Sequence, residues 1–283
     1  MNDQLLTFFI SIVTAGITAV ITYTVSVKIS FRNKELELKR EQAFKYFLPL
    51  KFIADELFHR LSHIEKKIQD KQDINLQLPQ NLDGKDFKWF FTDWIDYKQP
   101  SKGAGGYFLT TAMFMHAQLY YRINLLLKEY PFLKVKLSQS ISEYMNTPEG
   151  SEIKRYYKEI INDSHTKRWM DLEKIINLKG TVNLESLINS TRLAAVMKGG
   201  IPYGLQPAFG QFLEKSVNGK IDQLNYEEFV RLLMDKEQRV KFSPLQTFYS
   251  EIIDNAFKVD ENKLIKMKAL MICLLTFRNA ELI

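Results

Sequence analysis

The chain has 283 residues, a net charge of +6, 46% apolar and 13% aromatic residues, and a single cysteine. Those proportions exclude a disordered polymer and a disulfide scaffold, and they leave material for one large or two small domains. Nor does the charge point to nucleic acid: between Lys28 and Lys51 seven Lys or Arg stand against Glu35, Glu37 and Glu41, and the rest of the chain is close to neutral.

The first predicted element is a transmembrane helix over 4–27. No charged side chain lies between Gln4 and Val27. As a helix those residues reach roughly 35 Å, enough to cross a hydrocarbon core of about 30 Å with some tilt. A buried core helix of a soluble protein, which would show a charged polar stripe, and a cleaved signal peptide are the competing readings. The latter would carry Lys or Arg ahead of a shorter apolar run and a small-residue cleavage site after it. Here only Asp3 precedes the run, which is long. The Thr and Ser residues within it cost little, because their hydroxyls bond back to the helix's own carbonyls. Small residues also recur one turn apart, at Ser11, Ala15 and Ala19 and at Thr14, Thr18 and Thr22. Such faces let spans approach closely, so a homo-oligomer through this helix is an expected partner arrangement.

A basic juxtamembrane helix is expected over 28–48. Lys28, Arg32, Lys34, Lys39 and Arg40 lie just past the span, and no Lys or Arg precedes it. By the positive-inside bias the N-terminus faces out and the remainder lies in the cytoplasm. These five are the predicted membrane-surface contacts, each gaining on the order of 1 kcal/mol from anionic head groups of the bilayer.

Residues 49–283 are predicted to form a helical-bundle-like cytoplasmic domain. Pro49 starts or kinks its first helix, on which Ile53, Leu57, Leu61, Ile64 and Ile68 make one apolar face. An aromatic-rich loop insertion follows at 70–106, holding Phe87, Trp89, Phe90, Phe91, Trp94 and Tyr97, with a short helix expected between Asp86 and Asp96. Such a cluster packs over a helical core, meets a partner, or sits among head groups. Further helices are expected over Tyr107–Tyr130, Leu133–Met145, Gly150–Lys179 and Leu184–Lys198. A bend rich in Gly and Pro over Gly199–Gly210 leads to a short helix at Phe209–Ser216. Helices over Asn225–Asp235, Pro244–Phe257 and Glu261–Leu282 complete the chain, the last with Leu264, Met267, Met271, Leu274 and Leu275 buried. No strand alternation of useful length and no internal repeat is visible, so the expected fold class is mostly α.

Few side chains point to chemistry. Glu56, His59 and His63 share a helical face with Glu-x-x-His spacing, but a di-iron bundle needs a second such pair, and Arg60 occupies the place of a zinc-protease glutamate. Gly103-Ala-Gly-Gly106 ahead of a helix offers backbone amides to an anion, yet the Lys-Ser/Thr ending of a P-loop is missing. No G-x-S-x-G elbow occurs, and Cys273 sits among apolar neighbours as an inert thiol. Glu227-Glu228 and Asp260-Glu261 lie where acids stabilise helix starts. No catalytic, cofactor-binding or metal-binding residue is assigned.

The run from Gly106 to Glu129, with Gly204 to Leu213, resembles uncharacterised bacterial proteins that carry one N-terminal span and a helical cytoplasmic domain. The resemblance implies that arrangement and no activity. The sequence therefore leads to a membrane-anchored interaction or regulatory module, with an oligomerising membrane effector and a metal-dependent enzyme as alternatives.

Overall fold

The computed structural model describes residues 2–70, 106–130, 133–162, 170–195, 201, 203–217, 219–252 and 259–283, which are mostly helical. The aromatic cluster Phe87–Tyr97 and the helix expected between Asp86 and Asp96 lie outside these residues, as does His165. The chain divides into two compact units, 1–45 and 46–283.

The first unit is dominated by one long helix, α1 (Asn2–Gln42). No proline interrupts it, and two of its threonines bond back to the helix's own carbonyls. Thr18 Oγ1 donates to the Thr14 carbonyl at 2.8 Å, and Thr24 Oγ1 to that of Val20 at 2.7 Å. Among the described residues α1 opens the only helix long and apolar enough to cross a membrane. A π-helical turn, Ala43–Phe47, comes next. Pro49 explains it, since proline has no N–H to give the carbonyl four residues back.

The second unit is built on three long helices, α2 (Leu48–Gln69), α3 (Tyr107–Glu129) and α12 (Glu261–Asn279). α2 packs against both of the others. Leu50, Ala54, Leu57, Leu61, Ile64 and Ile68 are buried along α2, and Ile53 is half-buried, so the predicted face is present and wider than expected. α12 differs more from expectation. Every residue from Lys266 to Phe277 is buried, which makes it a central helix covered on all sides. Its other neighbours include α5 (Ser151–Asn162), α6 (Met170–Ile176) and α7 (Leu184–Ala195).

The chain is mostly helical as expected, but short strands occur where no strand alternation was visible. Leu133–Met145 is not a helix: β1 (Lys134–Leu137) is followed by a short helix, α4 (Ile141–Tyr144). β1 is the middle of an antiparallel sheet, flanked by β2 (Gly180–Asn183) and β5 (Ala280–Leu282). Lys134-Val-Lys-Leu137 does alternate, with Val135 and Leu137 buried and the next face open, but four residues are too few to separate that period from a helical one. Gly180 has φ +83, a left-handed conformation at the first residue of β2, three residues of connection after α6 ends at Ile176. Ser140 caps α4 in a reciprocal box with Glu143.

The helix expected at Phe209–Ser216 is also displaced. α8 is Gln206–Gln211, and Glu214–Val217 is strand β3, paired with β4 (Lys220–Gln223). The dipeptide Asn218-Gly219 between them is a hairpin signal, and Gly219 has φ +74. Upstream, Gly210 lets α8 touch α3: a Cβ there would lie 2.7 Å from the Tyr121 amide nitrogen and from Asn124 Nδ2. Asn124 fixes the crossing by donating to the Pro207 carbonyl at 2.7 Å. α9 (Tyr226–Met234) starts at an Asn225–Glu228 capping box, which is where the acidic pair was expected to act. α10 (Lys236–Arg239) and α11 (Ser243–Ser250) complete the unit, α11 packing on α3.

Candidate functional site

From Thr14 onward the side chains of the apolar stretch of α1 are exposed. Ile17 is 56% exposed, Val20 66% and Tyr23 73%. At about 100° per residue Ile17, Val20, Ile21, Tyr23 and Val25 spread over roughly 200° of the circumference, and the small residues Ala15, Thr18, Ala19, Thr22 and Ser26 fill the remainder. Burying an aliphatic side chain is worth about 1.5–3 kcal/mol. Because they are only about half exposed, Ile17, Val20, Ile21 and Val25 together represent roughly 3–7 kcal/mol of unrealised burial. A helix with so wide an exposed apolar arc and no charged side chain is favoured by an apolar surrounding.

The five predicted contact residues follow on the same helix. Lys28, Arg32, Lys34 and Arg40 are exposed and Lys39 is half-buried. Lys39 Nζ is 2.8 Å from Glu35 Oε1, and this hydrogen bond holds the Glu35 carboxyl below its ordinary value. By the helical repeat Lys28, Arg32 and Lys39 share one face, while Lys34 and Arg40 take the two other sides. Cations thus ring α1 rather than line a single stripe.

The His59–His63 face does not form a metal cage. His59 Nε2 lies 3.6 Å from Asp55 Oδ2, while the His63 ring sits edge-on to Phe108 at 5.3 Å. Among the described residues no three His, Cys, Asp or Glu side chains are grouped to hold an ion. In the glycine run only Gly106 is described; it precedes α3 with ordinary negative φ and accepts from the Thr110 hydroxyl at 2.9 Å. Cys273 is fully enclosed in α12, and burial pushes its thiol up to about 12.

Two buried polar clusters escaped sequence reasoning. In the first, Glu65 of α2 is 0% exposed and Lys268 of α12 is 4% exposed, with Nζ 3.4 Å from Glu65 Oε1. Arg155 of α5 reaches the same oxygen at 3.5 Å, and Lys268 also pairs with Glu159. The Tyr156 hydroxyl lies 2.9 Å from Glu152 and 3.1 Å from Glu65, so its single proton serves one at a time. Burial, then these carboxylates, raise the Tyr156 phenol. The cluster joins three helices that no short-range pattern links. In the second, His116 of α3 is fully buried between Tyr249, 2.9 Å from Nδ1, and Tyr120, 3.2 Å from Nε2. Burial lowers its pKa to about 3, so the ring is neutral. The apolar neighbours of His116 in sequence were the one available signal.

No family model, no curated protein and no solved structure matches this chain.

Proposed function

We propose that this chain is a single-pass membrane protein whose helical unit works in the cytoplasm as an interaction or regulatory module. The observation that carries the reading is α1, an uncharged stretch exposed on most sides and followed by a ring of cations. A helix lying flat on a bilayer would gather its cations on one face, whereas a helix passing through the head-group layer meets lipid on every side. The ring around α1 supports crossing. Lys28, Arg32 and Lys34 fall within about 9 Å of helix, inside a Debye length of the surface, and they are the strongest head-group contacts. Lys39 and Arg40 lie about 17–18 Å beyond Lys28 along the axis and contribute less in an upright helix. The anchor raises the local concentration of the helical unit near other membrane-bound partners. The test is membrane fractionation with protease protection of a C-terminal tag. Protection in intact cells is expected, and cleavage from outside would reverse the orientation.

A second reading rests on the groove along α1 lined by Thr14, Ala15, Thr18, Ala19, Thr22 and Ser26. Small side chains on one face favour close helix association, which would make the protein an oligomerising, membrane-perturbing effector. Replacing Ala15 and Ala19 by leucine should then abolish cross-linked oligomers and any leakage of cell contents. Unchanged oligomers would remove this reading.

A further inference from the structure

An exposed seam runs along α1 from its apolar stretch into its charged one. Ala19, Thr22, Ser26, Ile29, Asn33 and Leu36 follow one another at steps of 3, 4, 3, 4 and 3. That is the spacing of a heptad seam. All six side chains are exposed, Ile29 at 54% and Leu36 at 46%. The first three line the groove of small residues, and the last three lie past Lys28. Arg40 takes the next position and ends the seam. Charges of opposite sign flank it. At about 100° per residue Arg32 stands about 70° to one side of the Asn33–Leu36 centre line and Glu37 about 70° to the other. Lys39, next on the Arg32 flank, is held by Glu35 of its own helix at 2.8 Å. The opposite face of α1 is a poorer seam. Phe31 and Leu38 are exposed on it, but Lys34 and Glu41 take the intervening and following positions, and pairing that face would bury charges.

We infer that this seam pairs with the same seam of a second copy of the chain, parallel and in register, an inference that rests on the reading of α1 as a membrane span. Two copies inserted with one topology run parallel. In a parallel two-helix coil, the residue just before one core position faces the residue five places further on in the other helix. Arg32 therefore meets Glu37 of the second copy, and Glu37 meets its Arg32. An antiparallel pair would set like flanks against each other, so the charge pattern fits the parallel one. Ile29 and Leu36 cover their exposed apolar surface against their counterparts. Asn33 opposite Asn33 can hydrogen-bond across the seam, the arrangement that fixes register and favours two strands. Small residues at the membrane end let the backbones approach. A second copy is favoured over a different protein because the two flanks of this helix complement each other.

The test is disulfide cross-linking of the full chain in isolated membranes, with single cysteines placed along α1 and the natural Cys273 buried. Under mild oxidation Asn33→Cys and Leu36→Cys should each give a product of twice the chain mass, and Phe31→Cys and Lys34→Cys about tenfold less. In the Asn33→Cys chain, Arg32→Glu or Glu37→Arg alone should slow cross-linking about fivefold, because two attractive pairs become repulsive. The two exchanges together should restore the rate. Lys34→Glu, the same charge change off the seam, should leave it unchanged. Equal cross-linking at all four positions, a product of any other mass, or no rescue by the exchanged pair overturns the inference. Alkaline carbonate extraction separates it from the reading beneath it. A chain retained in the pellet without cross-links overturns the seam alone, and a chain released to the supernatant overturns the span and the seam together.

Discussion

A charge placed in the middle of α1 should release the chain from the membrane by an amount that can be estimated. The uncharged stretch of α1 contains twelve Leu, Ile, Val or Phe residues between Leu5 and Val27. At about −0.3 to −0.6 kcal/mol each on an insertion scale they supply roughly −4 to −7 kcal/mol, part of which the seven Thr and Ser residues give back. Arginine at the centre costs about 2.5–3.5 kcal/mol, so Ile17→Arg, which also loses the isoleucine, shifts insertion by about 3–4 kcal/mol. That is two to three decades in the partition ratio and most of the margin. Adding Ile21→Arg, one turn away, doubles the cost and exceeds it. Alkaline carbonate extraction followed by sedimentation should show Ile17→Arg divided between pellet and supernatant and the double variant in the supernatant. Retention of the double variant in the carbonate-washed pellet would refute the reasoning, since α1 could not then be what holds the chain.

Other consequences concern the second unit. Lys268→Met leaves buried Glu65 with only the half-exposed Arg155 as a cationic partner, and should cost up to about 3–5 kcal/mol in a denaturant melt. Glu65→Leu combined with Lys268→Met should recover part of that loss, and a smaller loss for the single than for the double variant would contradict the buried pair. Because folding lowers the His116 pKa from about 6.5 to about 3, the unfolded chain binds the extra proton first as pH falls. This group's contribution is fully present above about pH 6.5 and is lost progressively down to pH 3, up to about 4–5 kcal/mol in total. His116→Phe should flatten that part of the stability-versus-pH curve. Gly210→Ala forces the α8 backbone away from α3 and should destabilise by about 1–3 kcal/mol, read as a lower melting temperature.

The elements that could be read locally are those whose pattern runs for many residues. The uncharged stretch of α1, the apolar face of α2 and the span of α3 each repeat over several turns, and the Asn225–Glu228 box marks its own helix start. The sheet could not be read that way. β1 is four residues long and pairs with β5, whose Leu282 lies opposite Val135 and far from it in sequence. The hairpin has a local signal in Asn218-Gly219, just beyond the helix expected at Phe209–Ser216. Site residues follow the same division. Cations next to a span announce themselves, whereas Glu65 and Lys268 look like ordinary exposed helix residues until α2 and α12 meet. His116 reads as one more polar residue on an apolar helix, because Tyr120 lies one turn away but its other tyrosine partner, Tyr249, comes from α11.

Cysteine accessibility in intact cells tests the anchored arrangement most directly. Cys273 is the only cysteine and its buried thiol is pushed up to about 12, so single reporters can be added to the natural chain. Asn2→Cys should react with a membrane-impermeant maleimide in intact cells, and Lys236→Cys, on α10, only after lysis. Labelling of Lys236→Cys in intact cells with Asn2→Cys protected would contradict the orientation, and recovery of both variants from the soluble fraction would contradict the anchor itself.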